Sequence, residues 1–398
     1  MKTQEIHVGV DATSWINDRG FGRFTRELIT ALAARDAGFR YTLVFDRPPE
    51  FDLPDNVDTV IADTRNNLND AAVGDKSRSF GYLMKMGEVV RKARFDIFFF
   101  PAVYSYFPLL ARVPCVVCYH DTTAERIPHL LFPTQMNRRL WQLKTALAKL
   151  QTARAMTVSQ SSARDLENIL HIPKNKIDTV SEAADPIFRR IENLQEVEDA
   201  KQKFHIPADA EYMMTLGGMN AHKNILSLLK AMPAIVEEHR QVHLVIVGDT
   251  SGKGFWDNVP ELQKFTADHP ALQSRVHFTG YIDDADAARL LNGAAALAFP
   301  SLWEGFGLPA VEAMSCGVPV LASDRGSLPE VIGDAGLFYD PENIDEITAV
   351  AVKFFGDTAL RQRLTEASIA RAQEFTWDNA AILAEQSFRK CAEGRRRA

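Results

Sequence analysis

The sequence predicts an α/β protein of two domains, each built on a mostly parallel sheet. At 398 residues the chain is too long for one ordinary hydrophobic core. Short apolar runs of strand type alternate with helical patterns, the order that yields parallel sheets covered on both faces. That alternation occurs twice, on either side of the acidic, lysine-bearing run Asn193 to Lys203, which has the polarity of a linker or a surface helix. The domains are therefore placed at residues 1–190 and 200–375.

In the first half, Ile6 to Asp11 reads as a strand, followed by a loop with Gly20 and Gly22 and a helical pattern from Phe24 to Ala34. The G-x-G lacks the third glycine of a dinucleotide fingerprint, which disfavours a nicotinamide enzyme. Arg23 is either a site residue or a solvated helix residue. Further strands are expected at Tyr41–Phe45, Val57–Ala62, Asp96–Phe100, Val113–Tyr119 and Ala155–Val158. The fourth of these delivers His120 and Asp121 to its carboxyl end, where open α/β sheets place their sites. A satisfied histidine and a capping aspartate are the structural alternatives. Thr134 to Arg154 is helical in pattern and carries Arg138, Arg139, Lys144, Lys149 and Arg154 without one acid. Such a segment could rest on an anionic membrane surface, although a solvated helix face is the simpler account. The next helix, in SQSSARDLENIL, has serine caps near its start.

The second half repeats the pattern: strand Tyr212–Leu216, loop GGMNAHKN, helix Ile225–Val236, strand Val242–Val247, strand Val276–Thr279 and helix Ala285–Leu291. Lys223 breaks a local rule, because a cation at a helix N-terminus opposes the dipole unless an anion is held there. Asp284 and Asp286 spell a D-x-D, but at a helix start, where acids cap and match the dipole rather than bind metal. The stretch from Phe299 to Glu330 carries the densest chemistry. An apolar strand from Ala294 to Phe299 gives way to a loop with Glu304, Gly305 and Gly307, and Pro309 suits the first turn of a helix. The amides of Phe306, Gly307 and Leu308 would then point out of a helix N-terminus, a ready anion site. Glu312 is expected in the first turn, where a carboxylate beside a diphosphate takes neutral donors such as sugar hydroxyls.

Composition excludes other classes. A net charge of −7 argues against a general nucleic-acid binder. No uncharged apolar stretch approaches the roughly 20 residues of a spanning helix, and Met1 to Glu5 has no leader character, so a cytoplasmic location is expected. Four cysteines are too few for a disulfide framework. Cys115 and Cys118 fall on opposite faces of one strand, which spoils them as joint metal ligands.

The spacing of Glu304 and Glu312 around GFGLP, with PS before it and EAMSCGVPVLAS after it, resembles the E-x7-E signature of retaining glycosyltransferase family 4. RGFGRFTREL, VVCYHDTTAERIP, LGGMNAHKNI and FTWDNAA resemble further elements of that family, so the likeness spans almost the whole chain. The resemblance implies a GT-B fold, two Rossmann-like α/β domains facing each other across a cleft, with a last helix, residues 376–398, returning to the first domain. It implies a nucleotide-sugar donor on the second domain and an acceptor on the first, with no metal and no cofactor beyond the donor. Glu304 would contact the donor sugar, Glu312 the ribose, and the amides of Phe306, Gly307 and Leu308 the diphosphate. Lys223 would hold phosphate, with Gly217, Gly218 and His222 in the same loop, while Gly20 and Gly22 lie near the phosphates. His120 would lie beside the transferred sugar, with Asp121 and Arg23 on the acceptor side. Backbone groups near Gly280 and Tyr281 are candidate base contacts. Many members have an arginine where this chain has Gly218, so half of the usual cationic clamp is missing. The resemblance points to a GDP- or UDP-hexose, with mannose the first choice, and to a glycan or lipid-linked glycan acceptor chosen by loops such as Asn66 to Lys76. A nucleotide-sugar epimerase or hydrolase, and a silent binding subunit, remain as alternatives on the same architecture.

Overall fold

The structure is a computed structural model that describes residues 5–17, 20–62, 80–251 and 258–397; the loop 66–76 lies outside them. The chain forms two compact units. Unit one comprises Met1–Thr122, Thr134–Glu182 and Trp377–Ala398, and unit two comprises Thr123–Pro133 and Ala183–Thr376.

Unit one is built on seven parallel strands: β1 (Ile6–Asp11), β2 (Phe39–Phe45), β3 (Val57–Ile61), β4 (Ile97–Phe100), β5 (Cys115–Cys118), β6 (Thr152–Thr157) and β7 (Ile177–Thr179), in the order β3-β2-β1-β4-β5-β6-β7. The central strands IFFF and CVVC are buried throughout, as strands covered on both faces must be. Cys115 joins the core of Phe98, Phe100 and Val117. Alternation along the strand turns Cys118 to the other face, and both thiols are free. The helix after β1 spans Gly20–Ala33, so Gly20 and Gly22 lie inside its first turn rather than in a preceding loop. Gly22 is required for space: a Cβ there would sit 1.9 Å from the carbonyl oxygen of Asn17. The 21-residue helix Trp377–Arg397 belongs to this unit and stays helical through the arginines at its end. Its Phe388 is fully buried against Phe99, and Arg35 holds it through Glu385 at 2.8 Å and through Asp378.

The basic segment differs from the sequence reading at its end. Its helix runs Gln135–Gln151, capped by Thr134, and the chain then enters β6, where Arg154 is bound to Asp178 at 2.5 Å. Serine capping of the next helix is realised, Ser159 accepting from the amide of Ser162.

Unit two has six parallel strands: β8 (Glu211–Leu216), β9 (Val242–Val247), β10 (Val276–Gly280), β11 (Ala296–Phe299), β12 (Val320–Ser323) and β13 (Gly336–Tyr339), in the order β10-β9-β8-β11-β12-β13. Strands β7, β12 and β13 have no counterpart among the elements read from the sequence. They are three or four residues long, too short to show a period. The linker run is the helix Leu194–Lys203 with Asn193 as its cap. At the D-x-D, the cap of helix Asp284–Gly293 is Asp283, and Asp286 is buried in ion pairs with Lys203 and Arg289. Burial opposes its charge, but these two cations hold its carboxyl below the ordinary range.

The strand order sets where chemistry can occur. Chain progression reverses between β8 and β11, which pair directly, so the loops leaving their carboxyl ends diverge and open a crevice at that edge.

Candidate active site

Two loops of unit two meet at this reversal. The first leaves β8 at Leu216 and runs through Gly217, Gly218 and a short turn at Ala221–Lys223 into the helix Ile225–Glu238. Gly217 has φ +138°, which an L side chain rarely adopts. A Cβ on Gly218 would meet the Asn220 side-chain oxygen at 2.7 Å, so the space in which an arginine would begin is occupied by that amide. The second loop leaves β11 at Phe299 and carries Ser301, Trp303 and Glu304 to the helix Leu308–Ser315.

The structure brings Lys223 and Glu304 together, with Lys223 Nζ donating to Glu304 Oε1 at 2.7 Å. This pair explains the misplaced cation: the anion offsetting the unfavourable dipole at Lys223 is the carboxylate of Glu304. The side chains are 21% and 13% exposed, so neither charge is well solvated. Burial alone would raise the Glu304 carboxyl; Lys223, His222 and the nearby Ser301 hydroxyl outweigh it and hold the group below its usual value. Ser301 leans on the carboxylate without closing a hydrogen bond of ordinary geometry. His222 completes the cluster. Burial and the Lys223 ammonium push its imidazole down to about 4, so the ring is neutral at pH 7, with a buried Nδ1 that has no hydrogen-bond partner among the described residues.

Asn224 joins the two loops. It holds the left-handed conformation, φ 56°, and its side-chain amide donates to the carbonyls of Pro300 at 3.1 Å and Pro341 at 2.7 Å. The amide of Leu302 also donates to the His222 carbonyl at 2.8 Å. On the other side, buried Ser327 donates to the carbonyls of Glu304 at 3.1 Å and Phe306 at 2.8 Å. A Cβ on Gly326 would clash with the Glu304 backbone at 2.6 Å. The guanidinium of Arg126 lies 3.8 Å over the Trp303 ring, fixing the residue before Glu304. None of Asn224, Ser301, Ser327 or Arg126 was assigned a role from the sequence. Asn224 and Ser327 carry no local signal for these roles, because their partners lie 21 or more positions away along the chain.

Gly307 is the N-cap of the helix at φ +97°, with Pro309 in its first turn as expected. Among the described residues, no carbonyl accepts from the amides of Phe306, Gly307 or Leu308 outside the helix. Glu312 is not in the first turn. It is the fifth residue of the helix and is buried at 3% exposure, because the helix starts only at Leu308. Gly280 and the exposed Tyr281 stand at the same carboxyl edge, two strands from β8, with Gly280 at φ +75° accepting from the Gly248 amide at 3.2 Å.

The remaining predicted residues belong to unit one. His120 is buried after β5, and both ring nitrogens are engaged, Nδ1 with Glu182 Oε1 at 3.1 Å and Nε2 with the Pro101 carbonyl at 2.9 Å. A carboxylate and a carbonyl both accept, so both nitrogens carry protons. Burial opposes that charge, but the Cys118 sulfur and Glu182 outweigh it and hold His120 well above its ordinary value. Phe24 meets the same ring edge-on at 4.7 Å. Asp121 is half-buried beside it, and Arg23 is half-buried in the first turn of Gly20–Ala33. Among the described residues, no group of three or more His, Cys, Asp or Glu side chains is arranged to hold a metal ion.

Two parallel-sheet Rossmann-like units in one chain, with the chemistry at the carboxyl edge of the second, are the architecture of the GT-B class. Residues 19–187 match the family model described as Glycosyltransferase Family 4, and residues 196–371 match that described as Glycosyl transferases group 1. The chain belongs to glycosyltransferase family 4. Among curated relatives, the O-antigen chain mannosyltransferase B of Escherichia coli is 34% identical over 226 residues, 56% of this chain and 57% of that protein, so the match spans little more than half of that relative. Among solved structures, the sucrose-phosphate synthase of Thermosynechococcus elongatus superposes with a TM-score of 0.74 at 20% identity, covering 98% of this chain and 99% of that one. Anabaena HepE in complex with UDP-glucose superposes with a TM-score of 0.72 at 17% identity, covering 96% and 98%. The two structures share the fold.

Proposed function

We propose that the chain is a retaining, metal-independent hexosyltransferase that moves a hexose, mannose first, from a GDP- or UDP-sugar to a glycan or lipid-linked glycan of surface polysaccharide or lipopolysaccharide synthesis. The observation that carries this is the Lys223–Glu304 pair at 2.7 Å, beside a glycine-capped helix N-terminus with Glu312 buried one turn further in. A diphosphate accepts from the amides of Phe306, Gly307 and Leu308 and from Lys223, whose ammonium has three protons and can serve a phosphate and Glu304 together. Glu304 then faces the sugar and Glu312 the ribose, each accepting from neutral hydroxyls. Neutral His222 can donate without adding charge.

With Lys223 and the helix dipole stabilising the leaving diphosphate, no metal is needed for that charge. The acceptor hydroxyl attacks the anomeric carbon on the face the diphosphate leaves, and a departing phosphate oxygen takes its proton. In this reading His120 serves the transferred sugar, Gly20 and Gly22 the donor phosphates, and Asp121 and Arg23 the acceptor side. The mannosyl assignment is supported by the name of the Escherichia coli relative, and a UDP-hexose by the ligand of HepE. A cytoplasmic site of action, where nucleotide sugars are made, goes with it.

The test is calorimetric titration with GDP, UDP and a panel of other nucleoside diphosphates, with and without chelator. One of GDP or UDP should bind, chelator should leave binding and transfer unchanged, and Glu312→Ala should weaken binding by about tenfold or more. Failure of both nucleotides while another binds, or metal-reversible loss of transfer, would overturn the assignment.

A further inference from the structure

The helix Gln135–Gln151 of unit one buries the wrong face for an ordinary surface helix. Thr145 and Ala148 point into the unit, whereas Met136, Leu140, Leu143, Leu147 and Leu150 are 37 to 80% exposed. Their spacing of four, three, four and three residues puts all five on one stripe, turned away from Thr145 and Ala148 by helical geometry. A solvated face does not need five large apolar side chains in register, and a contiguous patch of this kind marks an interaction surface.

Charge decides what covers it. The helix contains no acidic residue, and Arg139 and Lys144 flank the stripe on either side. In a pairing with a second copy these cations would occupy the positions that face each other across a helical seam, so self-association is opposed by like charges. The apolar surface also extends beyond one helix. Gln151 binds the backbone of Leu109 in both directions, at 2.9 and 2.8 Å, which sets Leu110, 58% exposed, next to the end of the stripe. On the flank, Lys144 donates to the Tyr104 carbonyl, and the Tyr104 side chain is exposed where its ring meets the inward-packed Trp141 at 5.1 Å. A single partner helix would cover the seam and leave Leu110 bare. A broad apolar face bordered by cations and an exposed tyrosine fits the surface of an anionic bilayer.

We propose that the Met136–Leu150 stripe, with Arg139 and Lys144 on its two borders, docks unit one peripherally on an anionic lipid surface, the leucines entering the acyl boundary while the cations meet headgroup phosphates. This surface involves none of the residues assigned to the donor and stands apart from that assignment. No helix among the described residues is long and apolar enough to cross a membrane, so the contact lies in the plane of the interface.

The test is co-sedimentation of the full chain with vesicles of phosphatidylcholine alone and of phosphatidylcholine mixed in equal parts with phosphatidylglycerol. Binding is expected to the mixed vesicles only, and to weaken with salt. Arg139→Ala with Lys144→Ala should reduce the partition coefficient by about thirtyfold, and each of Leu143→Ser and Leu147→Ser by about tenfold. The leucines are exposed, so these variants should keep the wild-type melting temperature, and Leu143→Met should retain binding as a control for loss of fold. No binding to mixed vesicles, equal binding to both kinds, or unchanged binding by the serine variants would overturn the proposal. So would a dimer in sedimentation equilibrium that the serine variants dissociate, because the stripe would then be an interface between copies.

Discussion

Replacing Lys223 by methionine should destabilise unit two through a single cause, the stranding of Glu304. At 2.7 Å and an effective dielectric of about 20, two unit charges attract by about 6 kcal/mol, and desolvation of both groups returns roughly half of it. With the carboxylate only 13% exposed, Lys223→Met should cost about 3 kcal/mol. Glu304→Gln should cost less, about 1 kcal/mol, because the longer lysine can turn its ammonium into water. The double variant should resemble Glu304→Gln alone, giving a coupling of about 2 to 3 kcal/mol. The pH dependence has a fixed sign. Glu304 is held below its ordinary value of 4.5, so its contribution is present above that pH and is lost as pH falls through the folded value. In Lys223→Met that acid-side loss should vanish, because the folded carboxyl is then no harder to protonate than the unfolded one. Denaturant-dependent hydrogen exchange of the amides in Ile225–Glu238 and Leu308–Ser315 reads unit two alone. Additive effects of the two substitutions would refute the pairing as an energetic unit.

Two further predictions concern residues beside this pair. Asn224→Ala loses three side-chain hydrogen bonds, to Pro300, to Pro341 and from the Ser227 hydroxyl, and places a Cβ-bearing residue without them at φ 56°, so it should cost about 3 kcal/mol. Asn224→Gly loses the same bonds without the strain and should cost about 1 kcal/mol less in thermal unfolding; equal costs would refute the conformational part. His222 is neutral in the fold down to about pH 4, whereas the unfolded chain takes up that proton below 6.5. Stability should therefore fall as pH drops from 6.5 to about 4, by at most about 3 kcal/mol from this residue, and His222→Gln should flatten that slope. An unchanged slope in unfolding measured across the window would show that His222 is protonated in the fold.

Much of the fold was legible because its signals are local. Strands such as Ile97–Phe100 and Ala296–Phe299 are continuous apolar runs, and Gly307 with Pro309 marks a helix start by chemistry confined to three residues. The same locality made Glu304, Lys223 and the Gly307 turn readable as candidates. The strands Ile177–Thr179, Val320–Ser323 and Gly336–Tyr339 escaped because three or four residues are held in a sheet by neighbours, not by a pattern of their own. Glu312 was placed a turn too early because a helix boundary depends on the backbone state of Gly307, which sequence does not display.

By itself, then, the sequence determined which residues can carry charge, cap a helix or fill a sheet. The tertiary structure alone decided which of them meet. Lys223 and Glu304 are 81 positions apart and become partners only because β8 and β11 are adjacent where the strand order reverses. His120 becomes a buried cation only because Glu182, 62 positions on, returns to its Nδ1. The leucines of Gln135–Gln151 are left facing outward only because unit one packs on Thr145 and Ala148 instead. Spacing along a chain fixes the face on which a side chain lies, but the neighbour of that face is chosen by the summed burial of every other element, a quantity no local stretch contains.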